Sequence, residues 1–154
     1  MSAVIRHIRK LAATDRWRPA LSAPAQQLGY GELWQAVREL AATLAAAGDR
    51  TIAMDIANPF TWMMADLALV LKRNVTVPLP PFFTAAQKEH AIHSSGAGWV
   101  LTDAPDAADA AGKQAVSCAR GLFLCPVSAR RVVHHHGTAK ITYTSGTTGD
   151  PKGV

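Results

Sequence analysis

Thr51-Ile52-Ala53-Met54-Asp55-Ile56-Ala57-Asn58-Pro59-Phe60 is the stretch that decides the fold class. Its first seven residues are mostly apolar and lead straight into a helix start, so they read as a buried strand. Asn58 is a good N-cap, and Pro59 suits the first helical position, where a missing N–H costs nothing. The helix predicted from them runs through Lys72. The same order then recurs. Val75 to Leu79 is a second apolar strand, closed by Pro78, Pro80 and Pro81. Thr84-Ala85-Ala86-Gln87 is a capping box that opens a helix to about Ser94, and Gly96 stops it. Trp99 to Thr102 is a third strand. Strands alternating with helices of this length pair in parallel through right-handed crossovers. The class is α/β, with a partly parallel sheet and crossover helices.

Upstream, the first clear helix runs from about Gly31 to Ala47. Leu33, Val37, Leu40 and Leu44 share one face, and Gly48 ends it. Ala20-Leu21-Ser22 and Gln27-Leu28-Gly29-Tyr30 suit a short hairpin around Pro24. Met1 to Leu11 alternates basic and apolar residues, without the unbroken apolar stretch of a signal peptide. Downstream, Ala104 to Gly112 reads as a short helix or a surface loop. Gly121 to Cys125 reads as a strand, and Pro126 to Gly137 as connection. Lys140 to Thr144 is the final predicted strand.

The 154 residues suit one compact domain with a real core, and 49% apolar against 18% charged residues excludes a disordered or fibrous chain. Sixteen Lys and Arg against eleven Asp and Glu leave a formal charge of +5, spread thinly along the chain. No basic block with interleaved aromatics marks a nucleic-acid surface. The most apolar run, Phe60 to Leu71, carries Asp66 and falls short of the roughly twenty residues a membrane span needs. Cys118 and Cys125 have neither the number for a disulfide scaffold nor zinc or redox spacing. Reduced thiols in a cytoplasmic protein are expected.

The chemistry gathers at the end of the chain, in Thr144-Ser145-Gly146-Thr147-Thr148-Gly149-Asp150-Pro151-Lys152-Gly153. Gly146 and Gly149 permit backbone angles that let successive N–H groups converge on an anion. The hydroxyls of Thr144, Ser145, Thr147 and Thr148 add donors suited to phosphate oxygens. Lys152 adds a full positive charge, and Pro151 stiffens its approach. This is not the Walker A pattern, whose glycines are separated by four residues and whose last glycine precedes its lysine. A P-loop NTPase or kinase is excluded on spacing.

The stretch from Ile141 to Lys152 resembles the signature of the adenylate-forming superfamily: acyl-CoA synthetases, peptide-synthetase adenylation domains and luciferases. Every position matches, with Asp150 at the freely variable site. Tyr30-Gly31-Glu32-Leu33 is similar to the Tyr-x-Glu-Leu that opens the family's first core helix. Asn58 to Val77-Pro78-Leu79, Ser95-Gly96-Ala97 and Val100-Leu101-Thr102-Asp103 extend the resemblance from about residue 20 to the end. It implies an enzyme that uses ATP and Mg²⁺ to turn a carboxylate into an acyl-adenylate and pyrophosphate. The acyl group then passes to a thiol of coenzyme A or a carrier protein. Thr144, Ser145, Thr147, Thr148 and Lys152, with Gly146 and Gly149, would grip the β- and γ-phosphates.

Family members continue for several hundred residues beyond this loop. The resemblance therefore implies that residues 1–154 are an incomplete N-terminal AMP-binding domain ending at the phosphate-binding loop 141–154. The adenine pocket, Mg²⁺ ligand and catalytic lysine would lie outside it, and the piece alone is expected to be inactive in carboxylate-dependent ATP–pyrophosphate exchange. Leu71-Lys72-Arg73-Asn74 and Val77-Pro78-Leu79-Pro80 match the peptide-synthetase pattern Leu-Lys-Ala-Gly and Val-Pro…Asp poorly. Pro80-Pro81-Phe82-Phe83-Thr84 sits where fatty acyl-CoA ligases carry an apolar turn. An acyl-CoA ligase is expected, against a peptide-synthetase adenylation domain or a non-catalytic interaction module. No metal ligand is assigned: His134-His135-His136 reads as a solvated loop, and His90 and His93 as helix-surface histidines. Trp34, Trp62 and Trp99 read as core.

Overall fold

The computed structural model of the chain describes residues 2–104, 106, 115–144 and 152–154. Its centre is a sheet whose middle strand is the one quoted above. β3 (Ile52–Asp55) pairs in parallel with β4 (Thr76–Pro78) on one side and β5 (Trp99–Thr102) on the other. β7 (Phe123–Pro126) then pairs antiparallel with β5, and β6 (Val116–Ser117) antiparallel with β7. The order across the sheet is β4-β3-β5-β7-β6. Outside it, β1 (Pro19–Ala23) and β2 (Gln26–Gly29) form the hairpin expected around Pro24. β8 (Tyr143–Thr144) and β9 (Lys152–Gly153) form another.

The apolar run of β3 is continuous because both of its faces are covered. Ile52 and Met54 face the layer made by α1 (Ala3–Thr14), α2 (Tyr30–Thr43) and α3 (Pro59–Lys72). Ala53 faces the other way, toward Val77, Leu79 and Ala91 of α4 (Ala85–Ser95). β4 and β5 flank β3 on opposite sides, so two crossovers of the same hand put α3 and α4 on opposite faces. Leu101 of β5 and Leu124 of β7 continue the first layer with no exposure.

The helix boundaries follow local chemistry. Asn58 Oδ1 accepts from the N–H groups of Phe60 and Thr61 at 2.9 and 3.1 Å, and Pro59 opens α3 as predicted. Thr84 and Gln87 exchange the two hydrogen bonds of a capping box at the start of α4, at 3.0 and 3.2 Å. Gly96 closes α4 in the left-handed conformation, φ 66°. Glu32 reaches back to the Gly29 N–H at 2.9 Å, which explains its place in the Tyr30-Gly31-Glu32-Leu33 run. α3 ends on Arg73 at φ 62°, and the next residue, Asn74, is buried. Its amide donates to the carbonyls of Gly48 and Arg50 at 2.8 and 3.0 Å. Asn74 thus ties the end of α3 to the entrance of β3.

Four expectations are corrected. The first helix is α1, not the one at Gly31: the alternation in Met1–Leu11 is amphipathic, with Ser2 capping the Ile5 N–H and Ile5 and Ile8 buried. The helix expected over 31–47 is α-helical only through Thr43, and Leu44–Ala47 tightens into a 3-10 turn before Gly48. The strand expected from Gly121 begins at Phe123, because Arg120 and Gly121 both take positive φ. Lys140–Thr144 is not one strand. Lys140 makes a single parallel bridge to Thr76, with Ile141 N–H on the Thr76 carbonyl at 2.9 Å, after which Tyr143 and Thr144 pair with β9. β6 was not foreseen. Of the segment Ala104–Gly112, all but Ala104 and Asp106 lie outside the described residues. Among the described residues no helix is long and apolar enough to cross a membrane.

Candidate functional site

In an open α/β sheet the usual place for a phosphate is the turn from a parallel strand into its helix, where N–H groups converge at the helix N-terminus. Here that turn is already filled. The Asp103 carboxylate, at the end of β5, accepts from Ala57 N–H at 3.0 and 3.1 Å and from Asn58 N–H at 3.0 Å. Asn58 takes the next two donors. Beside them Asp55, at the tip of β3, holds the Lys88 ammonium at 2.7 and 2.8 Å. The α3 terminus therefore presents carboxylate and amide oxygens rather than bare donors, and a nucleotide phosphate there would meet negative charge.

The described ends of the loop singled out by sequence lie elsewhere, on the α4 face of the sheet. Its two ends are paired: Tyr143 stands opposite Gly153 and Thr144 opposite Lys152. Thr142 and Val154 continue the pairing through reciprocal backbone bonds of 3.1 and 2.8 Å. Thr144 and Lys152 are both exposed, at the mouth of the connection 145–151. Ser145, Gly146, Thr147, Thr148 and Gly149 lie outside the described residues. Lys152 has no acidic partner among the described residues, unlike Lys140. The latter is bound to Asp66 at 2.6 Å and lies 5.4 Å from the centre of the Trp62 ring. Lys152, Tyr143, Thr138, Ser94 and His134 border an open concavity of about 770 Å³.

Tyr143 fixes this hairpin to the body of the protein. Its hydroxyl is 2.7 Å from Ser94 Oγ, and its ring meets His90 edge-on at 6.5 Å between centroids. The same ring lies over its cross-strand partner, where a Cβ added to Gly153 would come within 3.1 Å of Tyr143 Cζ. Ser94 carried no local motif that would have marked it in sequence, and His90 and Asp103 were marked only as a helix-surface histidine and as the end of the run Val100-Leu101-Thr102-Asp103.

The remaining candidates fall into place. His135 and His136 are exposed as expected, but His134 is half-buried and its Nε2 lies 3.1 Å from Thr51 Oγ1. His93 sits 3.7 Å from Glu89 on the outer side of α4. Among the described residues no three His, Cys, Asp or Glu side chains are grouped to hold a metal ion. Trp34, Trp62 and Trp99 pack against the main core, and Cys118 and Cys125 are free, buried thiols. Burial pushes the Cys118 thiol up from its ordinary range, against smaller lowering contributions from Thr43 and the Leu124 backbone.

The family model for AMP-binding enzymes matches residues 8–154, and the chain belongs to that family. The chain is 30% identical over 151 residues to phosphinothricin tripeptide synthetase PhsC of Streptomyces viridochromogenes, a match covering 88% of this chain and 13% of that protein. It is 28% identical over 140 residues to surfactin synthase subunit 1 of Bacillus subtilis, covering 88% and 4%. Among solved structures, O-succinylbenzoate coenzyme A synthetase (MenE) of Bacillus subtilis in complex with AMP superposes with a TM-score of 0.68 at 26% identity. That superposition covers 96% of this chain and 40% of that one. The chain thus spans less than half the length of each of these relatives.

Proposed function

We propose that this chain is the N-terminal part of an adenylate-forming ligase, and that its loop 141–154 holds the β- and γ-phosphates of ATP. One observation carries the reading: Thr144 and Lys152 are set opposite each other at the mouth of a Ser/Thr/Gly connection, while the alternative phosphate position at α3 is filled by Asp103. The hydroxyls of Thr144, Ser145, Thr147 and Thr148 would donate to phosphate oxygens, with Gly146 and Gly149 letting the backbone N–H groups approach. Lys152 would neutralise charge that grows on pyrophosphate as it leaves. That contribution is positional and electrostatic, with no covalent bond to the protein. Mg²⁺ would arrive with ATP and screen the triphosphate.

In the parent protein the substrate carboxylate would attack the α-phosphorus, the bond to pyrophosphate would break, and an acyl-adenylate would form. A thiol would then take the acyl group and release AMP. We favour coenzyme A as that thiol, on the apolar Pro80-Pro81-Phe82-Phe83 turn and the superposition on MenE. Phe83 is buried while Phe82 is exposed. A second reading, an amino-acid adenylation domain serving a carrier-protein thiol, is favoured by the two peptide synthetases among the sequence relatives. Exchange assays on the parent polypeptide with fatty or aryl acids against the amino acids would separate the two.

Calorimetric titration with ATP and with pyrophosphate tests the loop itself. Lys152→Ala is expected to weaken binding by about ten- to a hundredfold, the worth of a charge-assisted bond to phosphate. Equal affinity in wild type and variant would remove Lys152 from the site.

A further inference from the structure

Resting on the phosphate-loop reading, we propose that Tyr143 and Ser94 form a latch through which α4 positions the hairpin β8–β9, and with it Thr144 and Lys152. The hydrogen bonding has a direction. A hydroxyl has one proton to give, and Ser94 Oγ gives its proton to the His90 carbonyl at 2.6 Å. Tyr143 must therefore donate to Ser94 across the 2.7 Å contact. The bond ties the residue just before Thr144 to the last turn of a helix that is itself capped at both ends.

Two further contacts restrict the Tyr143 ring. The His90 ring holds it edge-on, and the backbone of Gly153 fills the space beneath it. Any side chain at 153 would press on the phenol at about 3 Å, so the glycine after Lys152 is there for the tyrosine as much as for the loop. Tyr143 thus grips both strands of the hairpin: its own, and the one carrying Lys152. Ile141 and Tyr143 also pack against the small core under α4, with Ala91 and Val77. A hairpin whose strands are two residues long has little stability of its own. The latch supplies what the strands lack.

Tyr143→Phe and Ser94→Ala in the full 154-residue chain each remove one partner while leaving the ring, the helix and the loop in place. Two readouts are needed. The first is hydrogen exchange at the Thr142 and Val154 amides, which pair with each other's carbonyls. The second is affinity for ATP. Each variant is expected to exchange about three- to tenfold faster than wild type and to bind ATP about three- to tenfold more weakly, the range one hydrogen bond covers. The double variant should add little to either single one, and Ser94→Thr should restore both readouts. Unchanged exchange in both single variants would overturn the latch. Faster exchange with unchanged ATP affinity would overturn its positioning role. Absence of ATP binding by the wild-type chain would instead sink the phosphate-loop reading, and the exchange data would still decide whether Tyr143 and Ser94 hold the hairpin.

Discussion

At the scale of one residue, Asp103 ties the end of β5 to the start of α3. Its carboxylate closes the α3 terminus from a position 45 and 46 residues away in sequence. Replacing it with Ala leaves two N–H donors to water and removes a charge-assisted contact, so Asp103→Ala should lower stability by about 1–3 kcal/mol in urea denaturation. Arg73 gives the opposite case. It ends α3 in a left-handed conformation at φ 62° that glycine adopts without cost, so Arg73→Gly should raise stability by about 0.5–1 kcal/mol. The thiol of Cys118 is neutral and buried, and its pKa is raised, so the fold favours its protonated form. The stability tied to that form is present below the ordinary thiol range and is lost as pH rises through the elevated pKa. Native chain should accordingly label slowly at Cys118 with iodoacetamide near pH 8, and unfolded chain rapidly; equal rates would show the thiol accessible.

At the scale of elements, the parts legible in sequence were those governed by neighbours in the chain. Asn58-Pro59, the Thr84–Gln87 box and Gly96 each act within one turn, and the helices they bound begin and end there. The continuous apolar run at Ile52-Ala53-Met54 read as a buried strand for the same reason. What escaped is held by distant partners. α1 reads as a mixed basic run until Ile5 and Ile8 are seen against α2 and α3. The chain from Lys140 to Thr144 looks like one strand until Thr76 claims its start and β9 its end. The connection 127–139 shows the same dependence. It crosses Gly96 so closely that an added Cβ would lie 2.6 Å from Val132 N and 2.7 Å from Arg130 O. With φ at 66° besides, Gly96→Ala combines backbone strain with a clash against main chain, and should cost about 2–4 kcal/mol in the same denaturation assay. A loss under 1 kcal/mol would mean that the connection moves aside freely.

Across the whole molecule, the phosphate site we propose and the alternative at the α3 terminus differ in the groups they present. The carboxyl end of β3 is occupied by Asp55 with Lys88 and by Asp103 with the α3 terminus. The hairpin on the α4 face carries exposed Thr144 and Lys152 on paired strands. The sequence signature marked residues 141–154, because its glycines, hydroxyls and lysine are contiguous, but not the pairing of Tyr143 and Thr144 with Lys152 and Gly153. It could not reveal Tyr143 reaching Ser94, nor Asp103 sealing the competing position, since both depend on how β5 and α4 come to lie beside them. Titrating isotope-labelled chain with ATP while following its amide resonances tests the central claim most directly. We expect saturable shifts at Thr144, Lys152, Gly153 and the connection 145–151, with Ala57 to Thr61 unmoved. Shifts centred on Ala57 to Thr61, or none that saturate anywhere in residues 141–154, would contradict it.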